Sequence, residues 1–392
     1  MIRFCHGSTT TRNPVGVTLT NAITRGIKVV YSLTNIQPKA VMSYHDLNIP
    51  VSSSTVSVKV FDTAKPGAHL SMSIPAAAFF EPILPSHEHV SMPILAFLVE
   101  HKATGNRIMF DLGIRSDIEN ANPHTAVLMQ KLISRPDKDV IDQMEAIGVE
   151  RESIKTVIWS HTHFDHIGDM TKLPASTNIV IHRDMELETW DKKPSSILLP
   201  SDIAGHNITR IDFTASPLKL GSFDAFDYFG DGSFYLLDVP GHQLGHMGAL
   251  ARVTPTTFLF LGGDAAHHPG LLRPTAQLHA NYPFPASASP SISEDHFGSG
   301  DFTARTTPLL TTADTGGKFH ADAAATQRSV LGITAFDGNP DVWTLCTHDD
   351  SLRPFFEDEG YPVQLDKWKA QGWKEKTMWA FLDEQNPAFR FK

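Results

Sequence analysis

Ser160-His161-Thr162-His163-Phe164-Asp165-His166-Ile167-Gly168-Asp169 follows directly on the apolar run Lys155-Thr156-Val157-Ile158-Trp159. A chain that leaves a strand in extended form turns His161 and His163 to the same side, because side chains alternate with period two, so their imidazoles can share one cation. Asp165 and His166 lie one step further, at the turn, within reach of a second cation beside the first. Three imidazoles and a carboxylate within six residues suit a borderline ion such as zinc, or else iron, cobalt or manganese. Burying them at a strand end without an ion would leave polar groups unsatisfied for no gain.

Three other places repeat the theme of an apolar run followed by a ligand-type residue: FYLLDVPGH ending at His242, FLFLGGD ending at Asp264, and VWTLCTH ending at His348. Strands ending on one edge of a sandwich would bring all four loops to one cleft. A carboxylate such as Asp264 can hold two cations close enough for two-metal hydrolysis. The chain has 20 His, so some are bystanders, and His87, His89, His182, His279, His296 and His320 are expected to be so.

Working outward, SSTVSVKVF (53–61), MPILAFLVEH (92–101), NRIMFDLG (106–113) and NIVIHR (178–183) are rich in β-branched and aromatic residues and read as strands. So do SFYLLDV, TTFLFLGG and DVWTLC in the second half. Val140, Ile141, Met144 and Ile147 fall on one face of a helix that Gly148 ends, and a second helix is expected around DMELETW (184–190). Strands interleaved with helices in two similar halves predict an α/β (α+β) chain folded as an αββα sandwich. Residues 269–317, rich in Pro, Ala, Ser, Thr and Gly, are expected to be a long loop insertion that gates or lines the substrate pocket.

Composition bounds the rest. With 392 residues, 41% hydrophobic and 19% charged, the chain has material for a large core. A net charge of -10 with no long Lys/Arg run argues against nucleic acid and for a small-molecule substrate. Cys5 and Cys346 are too few and too far apart for a disulfide framework. No apolar stretch approaches a membrane span. Residues 1–45 carry Arg3, Arg12, Arg25, Lys28 and Lys39 with no acidic residue, which predicts a flexible or targeting extension ahead of a single domain, 46–392, with a C-terminal helical segment. The expected location is cytoplasmic, or mitochondrial if the extension is a transit peptide. The oligomeric state is not legible.

HTHFDH at 161–166 resembles the HxHxDH signature of the metallo-β-lactamase superfamily. PGHQLGH resembles the PGHTxGH segment of its hydroxyacylglutathione hydrolases and N-acyl homoserine lactonases. LFLGGDAA is similar to the strand that carries the bridging Asp, TLCTHDD to the segment with the late His, and IMFDLG with Asp111 to the early strand. The resemblance implies a first metal on His161, His163 and His242, a second on Asp165, His166 and His348, and Asp264 between them. It implies two divalent ions, zinc in the first place, and hydrolysis of an ester, lactone, lactam or thioester by a bridging hydroxide, with Asp165 passing a proton to the leaving atom.

A Glu stands at the His163 position in flavodiiron relatives, which disfavours redox chemistry, and SHTHFDHIGD with THDD is closer to the lactonase branch. Those lactonases have a Tyr three residues after the bridging Asp, where this chain has His267, expected to act on the substrate carbonyl or leaving group. The alternatives are a thioesterase of the hydroxyacylglutathione hydrolase type, which would need a cationic patch such as Arg273, Arg305 and Lys318, and a single-iron persulfide dioxygenase.

Overall fold

The computed structural model describes residues 42–64, 74–132, 137–298 and 302–392, without the side chains of 128–132 and 303. Nearly all of the acid-poor extension lies outside the described residues, as does Cys5; Cys346 is buried and free. The described unit begins at Met42, and Tyr44 is already core, its ring 5.3 Å from that of Phe258.

Alternating or wholly apolar runs form the strands. In chain order the first sheet contains β1 (Val56–Asp62), β2 (Leu95–His101), β3 (Arg107–Phe110), β4 (Ile154–Ile158), β5 (Asn178–His182) and β6 (Ile208–Ile211). The second contains β7 (Lys219–Leu220), β8 (Phe223–Asp227), β9 (Phe234–Asp238), β10 (Met247–Thr254), β11 (Thr257–Leu261) and β12 (Val342–Leu345), after which β13 (Val363–Gln364) returns to the edge of the first. The order is β13-β1-β2-β3-β4-β5-β6 in one sheet and β7-β8-β9-β10-β11-β12 in the other. The β3, β4, β5 and β6 run is parallel, as is β11 with β12; the remaining neighbours in both sheets are antiparallel.

Both sheets give one face to a shared interior of Val58, Val60, Phe97, Phe110, Ile158, Phe234, Leu236, Leu259 and Trp343. On the outer face of the first sheet lies α1 (Val140–Ala146), N-capped by Asp139, with Val140, Ile141 and Met144 packed against Val157 and Ile179. Against the second lies α2 (Ala323–Asp337), seating Val330, Ile333 and Phe336 on Phe223 and Phe260. The result is the expected αββα sandwich.

Two expectations fail. Residues 184–190 form no helix: Met185 and Thr189 are buried and Leu187 half-buried while Glu186 and Glu188 are exposed. Burial with period two is that of an extended segment. Arg210 Nη1 also takes the carbonyls of Arg183 and Met185, which a helix would need for itself. Nor is 269–317 a bare loop. It holds a helix at Ala276–Asn281 and several single turns, and Leu271, Leu272, Phe284, Ile292, Leu309 and Leu310 are buried in the core cluster outside the second sheet.

Candidate metal centre

Each expected ligand leaves the C-terminal end of a strand. His161, His163, Asp165 and His166 follow β4, His242 follows β9, Asp264 follows β11 and His348 follows β12. The parallel pairing of β11 with β12 sends Asp264 and His348 to the same edge, and Thr347 N donates to Gly263 O at 3.0 Å to tie the two loops together. Met247 N does the same for the β4 and β9 loops by donating to Ser160 O at 2.9 Å. Gly263 has φ +52°, and a Cβ there would meet His246 Nε2 at 2.8 Å and Ser160 Cβ at 3.1 Å. Only glycine turns the chain into Asp264 that tightly.

The seven side chains meet in one cluster, divided by Asp264. Its Oδ2 lies 3.3 Å from His242 Nε2 and 3.6 Å from His161 Nε2. Its Oδ1 lies 3.0 Å from His166 Nε2 and 3.1 Å from His348 Nε2. His163 Nδ1 is 3.0 Å from His242 Nε2 on the first side, and Asp165 Oδ2 is 3.4 Å from His348 Nε2 on the second. His161, His163, His242 and Asp264 have donor atoms all within 4.8 Å of one another, and so do Asp165, His166 and His348.

The outward nitrogens are held by the frame. Asp111, at φ +59°, accepts from Ser160 N and Oγ at 2.7 Å each, and its Oδ2 takes the Nδ1 hydrogen of His166 at 2.8 Å. His348 Nδ1 donates to Pro93 O at 2.8 Å. His246, the second His of PGHQLGH, is not in the donor set: its Nδ1 donates to Val239 O at 2.9 Å and its Nε2 accepts from Asp264 N at 3.0 Å, so it fixes the backbone of Asp264.

Electrostatics sort the two sides. Burial pushes the imidazoles of His161 and His242 well below their ordinary value and His163 down to about 3, leaving neutral rings with lone pairs. Burial also opposes the charge of His166, but Asp264 and then Asp111 overcome it and raise that imidazole well above its ordinary value. Burial would raise the Asp264 carboxyl, yet His166 and then His348 hold it well below the carboxylate range. His161 Nε2, His166 Nε2 and Asp264 Oδ1 are buried without an aligned hydrogen-bond partner. Donor atoms of these kinds, turned into a common space and unsatisfied by the protein, fit a divalent cation.

His267 is brought to the cluster as well. It is buried, its ring stacks on Phe79 at 4.1 Å and on His348 at 5.4 Å, and its Nε2 lies 3.2 Å from Asp264 Oδ2. His320, expected to be a bystander, is also there, with Nδ1 3.2 Å from His242 Nδ1; a lone His outside any motif gave no signal of it. His182 and His279 instead bond locally, to Asp184 N and Arg305 O. A cavity of about 380 Å³ opens over the cluster, walled by Ile74, Pro75, Phe79, Phe164, Ile197 and Phe319, with Lys318 at its edge. None of the described residues of 269–317 lines it, so the insertion braces the fold and the wall begins at Lys318.

Comparison with known proteins bears on the family and the fold. The family described as Metallo-beta-lactamase superfamily matches residues 92–253. Metallo-hydrolase mfmC of Annulohypoxylon moriforme is 36% identical over 361 residues, 87% of this chain and 90% of mfmC. Gamma-lactamase FDB1 of Fusarium pseudograminearum (strain CS3096) is 32% identical over 86% of this chain and 84% of its own length. Cytochrome P450 monooxygenase mpaDE' of Penicillium brevicompactum is 38% identical over 86% of this chain, and the match spans only 38% of that larger relative. Among solved structures, an N-acyl homoserine lactone hydrolase with N-hexanoyl-L-homoserine at its metal centre aligns over 79% of this chain and 99% of its own, with a TM-score of 0.50 at 13% identity, a likeness of fold. The chain belongs to the metallo-beta-lactamase superfamily.

Proposed function

We propose that this metal-dependent hydrolase opens a cyclic carbonyl compound, a lactone in the first place or a γ-lactam, at a centre of two divalent ions, zinc in the first place. The observation that carries the reading is the placement of Asp264, with one carboxylate oxygen facing His161 and His242 and the other facing His166 and His348. His161, His163 and His242 would hold one ion, Asp165, His166 and His348 the other, and Asp264 both. Ions so held supply Lewis acidity toward a carbonyl oxygen and a water acidic enough to attack at neutral pH. The protein's part is to fix and dry the site. Phe79, Phe164, Ile197 and Phe319 seat an apolar ring and exclude water. Asp165, which also faces the cavity, is placed to carry a proton to the leaving oxygen or nitrogen. Hydrolysis is supported by the mfmC relative, named a metallo-hydrolase, and a ring substrate by the FDB1 relative, named a γ-lactamase.

The thioesterase alternative has less support, since its cationic patch does not assemble. Arg273 is buried on Asp337, Arg305 is spent on the carbonyls of Thr307, Pro308 and Phe297, and only Lys318 of the three lines the cavity. A single-iron dioxygenase would have no use for the second buried donor set.

Screening lactones, lactams and thioesters with the purified, metal-analysed chain tests the proposal. Ring opening of lactones or lactams is expected, and hydrolysis confined to thioesters would overturn it. His267, stacked between Phe79 and His348 at the cavity, is proposed to hydrogen-bond the carbonyl or leaving atom. His267→Ala should lower kcat about a hundredfold while leaving the ion count unchanged. A loss of ions in step with activity would make His267 a ligand instead.

A further inference from the structure

Imidazole tautomers decide what His320 does. His242 turns Nε2 toward the centre, 3.3 Å from Asp264 Oδ2 and 3.0 Å from His163 Nδ1. His242 would give its Nε2 lone pair to a cation held there and so keep its ring proton on Nδ1. In a buried site that proton needs an acceptor. His242 Nδ1 lies 3.2 Å from His320 Nδ1, and His320 Nε2 lies 3.3 Å from the carbonyl oxygen of Phe79. A carbonyl only accepts, so the hydrogen of neutral His320 sits on Nε2 and its Nδ1 is the lone pair offered to His242. One arrangement of hydrogens satisfies all three groups: His242 Nδ1–H donates to His320 Nδ1, and His320 Nε2–H donates to Phe79 O.

The backbone around this pair is built to keep it. Ala321 N donates to His242 O at 3.0 Å and Asp322 N to Gly241 O at 2.9 Å, so the segment carrying His320 is laced to the loop carrying His242. Gly241, at φ +131°, admits this approach, since a Cβ there would meet Thr326 N at 2.1 Å. Asp322 then caps α2 by accepting from Ala325 N at 2.8 Å, which anchors His320 two residues ahead of the cap of a 15-residue helix. Both rings are buried, at 3% and 2% exposure.

We propose that His320 is a positioning residue of the metal centre: it accepts the Nδ1 hydrogen of His242, fixing the tautomer and ring plane that present His242 Nε2 to the ion. Through Phe79 O the same chain of bonds sets the cavity wall on which His267 stacks. The inference rests on the proposed metal centre. Partners of this kind are worth about ten- to a hundredfold in metal affinity.

The test compares wild type with His320→Asn, whose Oδ1 stands near the position of Nδ1, and His320→Leu, which has no acceptor. Ions per chain, zinc retention against a chelator and the visible spectrum after cobalt substitution are read on each, with thermal unfolding as the check on folding. Expected are two ions in wild type, zinc affinity about ten- to a hundredfold weaker and an altered cobalt spectrum in H320L, and recovery of most of both in H320N. Wild-type affinity and spectrum in H320L would overturn the inference while leaving the metal centre standing. Three ions in wild type and two in H320L would overturn it in favour of a ligand role, since His242, His267 and His320 also have donor atoms within 4.8 Å of one another. A wild type that takes up no ion overturns the metal centre and this inference together. If H320L fails to fold, His320→Gln, which keeps an amide near Nε2 but no acceptor near Nδ1, replaces it against H320N with the same readouts.

Discussion

Replacing Asp264 with Ala is expected to abolish ring opening, by at least about a thousandfold, equivalent to about 4 kcal/mol of transition-state stabilisation, and to lower the metal content. No other carboxylate of the cluster reaches both donor sets: Asp165 approaches His348 and, at 4.0 Å, His166, but neither His161 nor His242. The variant also removes the carboxylate that does most to raise the buried imidazoles of His166 and His348, leaving Asp111 beside the first and Asp165 beside the second. Bound metal should fall below two ions per chain in elemental analysis, and added zinc should not restore turnover. Full activity with two ions retained in Asp264→Ala would remove the basis for the assignment.

The largest stability effect is expected at a buried pair that does not line the cavity. Arg273 donates Nε and Nη2 to the two oxygens of Asp337 at 2.8 and 2.9 Å and Nη1 to Met378 O at 2.7 Å, with both side chains buried. This pair fastens the start of the insertion to the end of α2 and to the C-terminal segment. Arg273→Leu leaves a buried carboxylate without its partner and should cost about 3–5 kcal/mol, read as a lower urea midpoint at unchanged slope. In the wild type, burial raises the Asp337 carboxyl but Arg273 more than reverses this, so it titrates below its ordinary value. Its contribution is therefore present above the unfolded carboxylate pKa and lost only as pH falls through the lower folded value. Without Arg273, burial is opposed only by the smaller effects of Lys374 and Thr344, so the folded carboxyl rises from its depressed position and the stability it lends above the unfolded carboxylate pKa shrinks. The deficit of the variant should thus be greatest near neutral pH and narrow as pH falls through the carboxylate range. Arg273→Leu with Asp337→Leu should recover most of the loss; a double variant as unstable as the single would show that packing, not charge, was at stake.

What the sequence discloses follows from how local the signal is. Strands such as Val56–Asp62 and Thr257–Leu261 are short apolar runs bounded by turns, and the ligand loops stand out because each follows such a run. Met247–Thr254 is a strand too, but Gly248, Ala249 and Ala251 are small and the run is buried on both faces, so no alternation marks it. The 15-residue helix Ala323–Asp337 is hidden because Thr326, Ser329 and Gly332 interrupt its apolar stripe where the chain passes close to Pro240, Ser222 and Phe223. In 184–190, Met, Leu and Thr at every second position answered to the extended chain although Glu and Met favour helices. The insertion misled because composition records Pro and Gly but not that Leu271, Leu309 and Leu310 find a common core. His320 stands in no motif, and its role exists only once Ala321 and Asp322 pair with the loop of His242.

The proposed chemistry has two divalent ions sharing Asp264 and a ring carbonyl opened beside them. Its most direct test is elemental analysis of the purified chain joined to lactone and lactam turnover on the same sample, with titration of chelator and back-titration of zinc. Two zinc-like ions per chain, with ring opening that falls as they are removed and returns as they are restored, is the predicted result. One iron per chain with oxygen consumption, or ring opening indifferent to the ions, would contradict it.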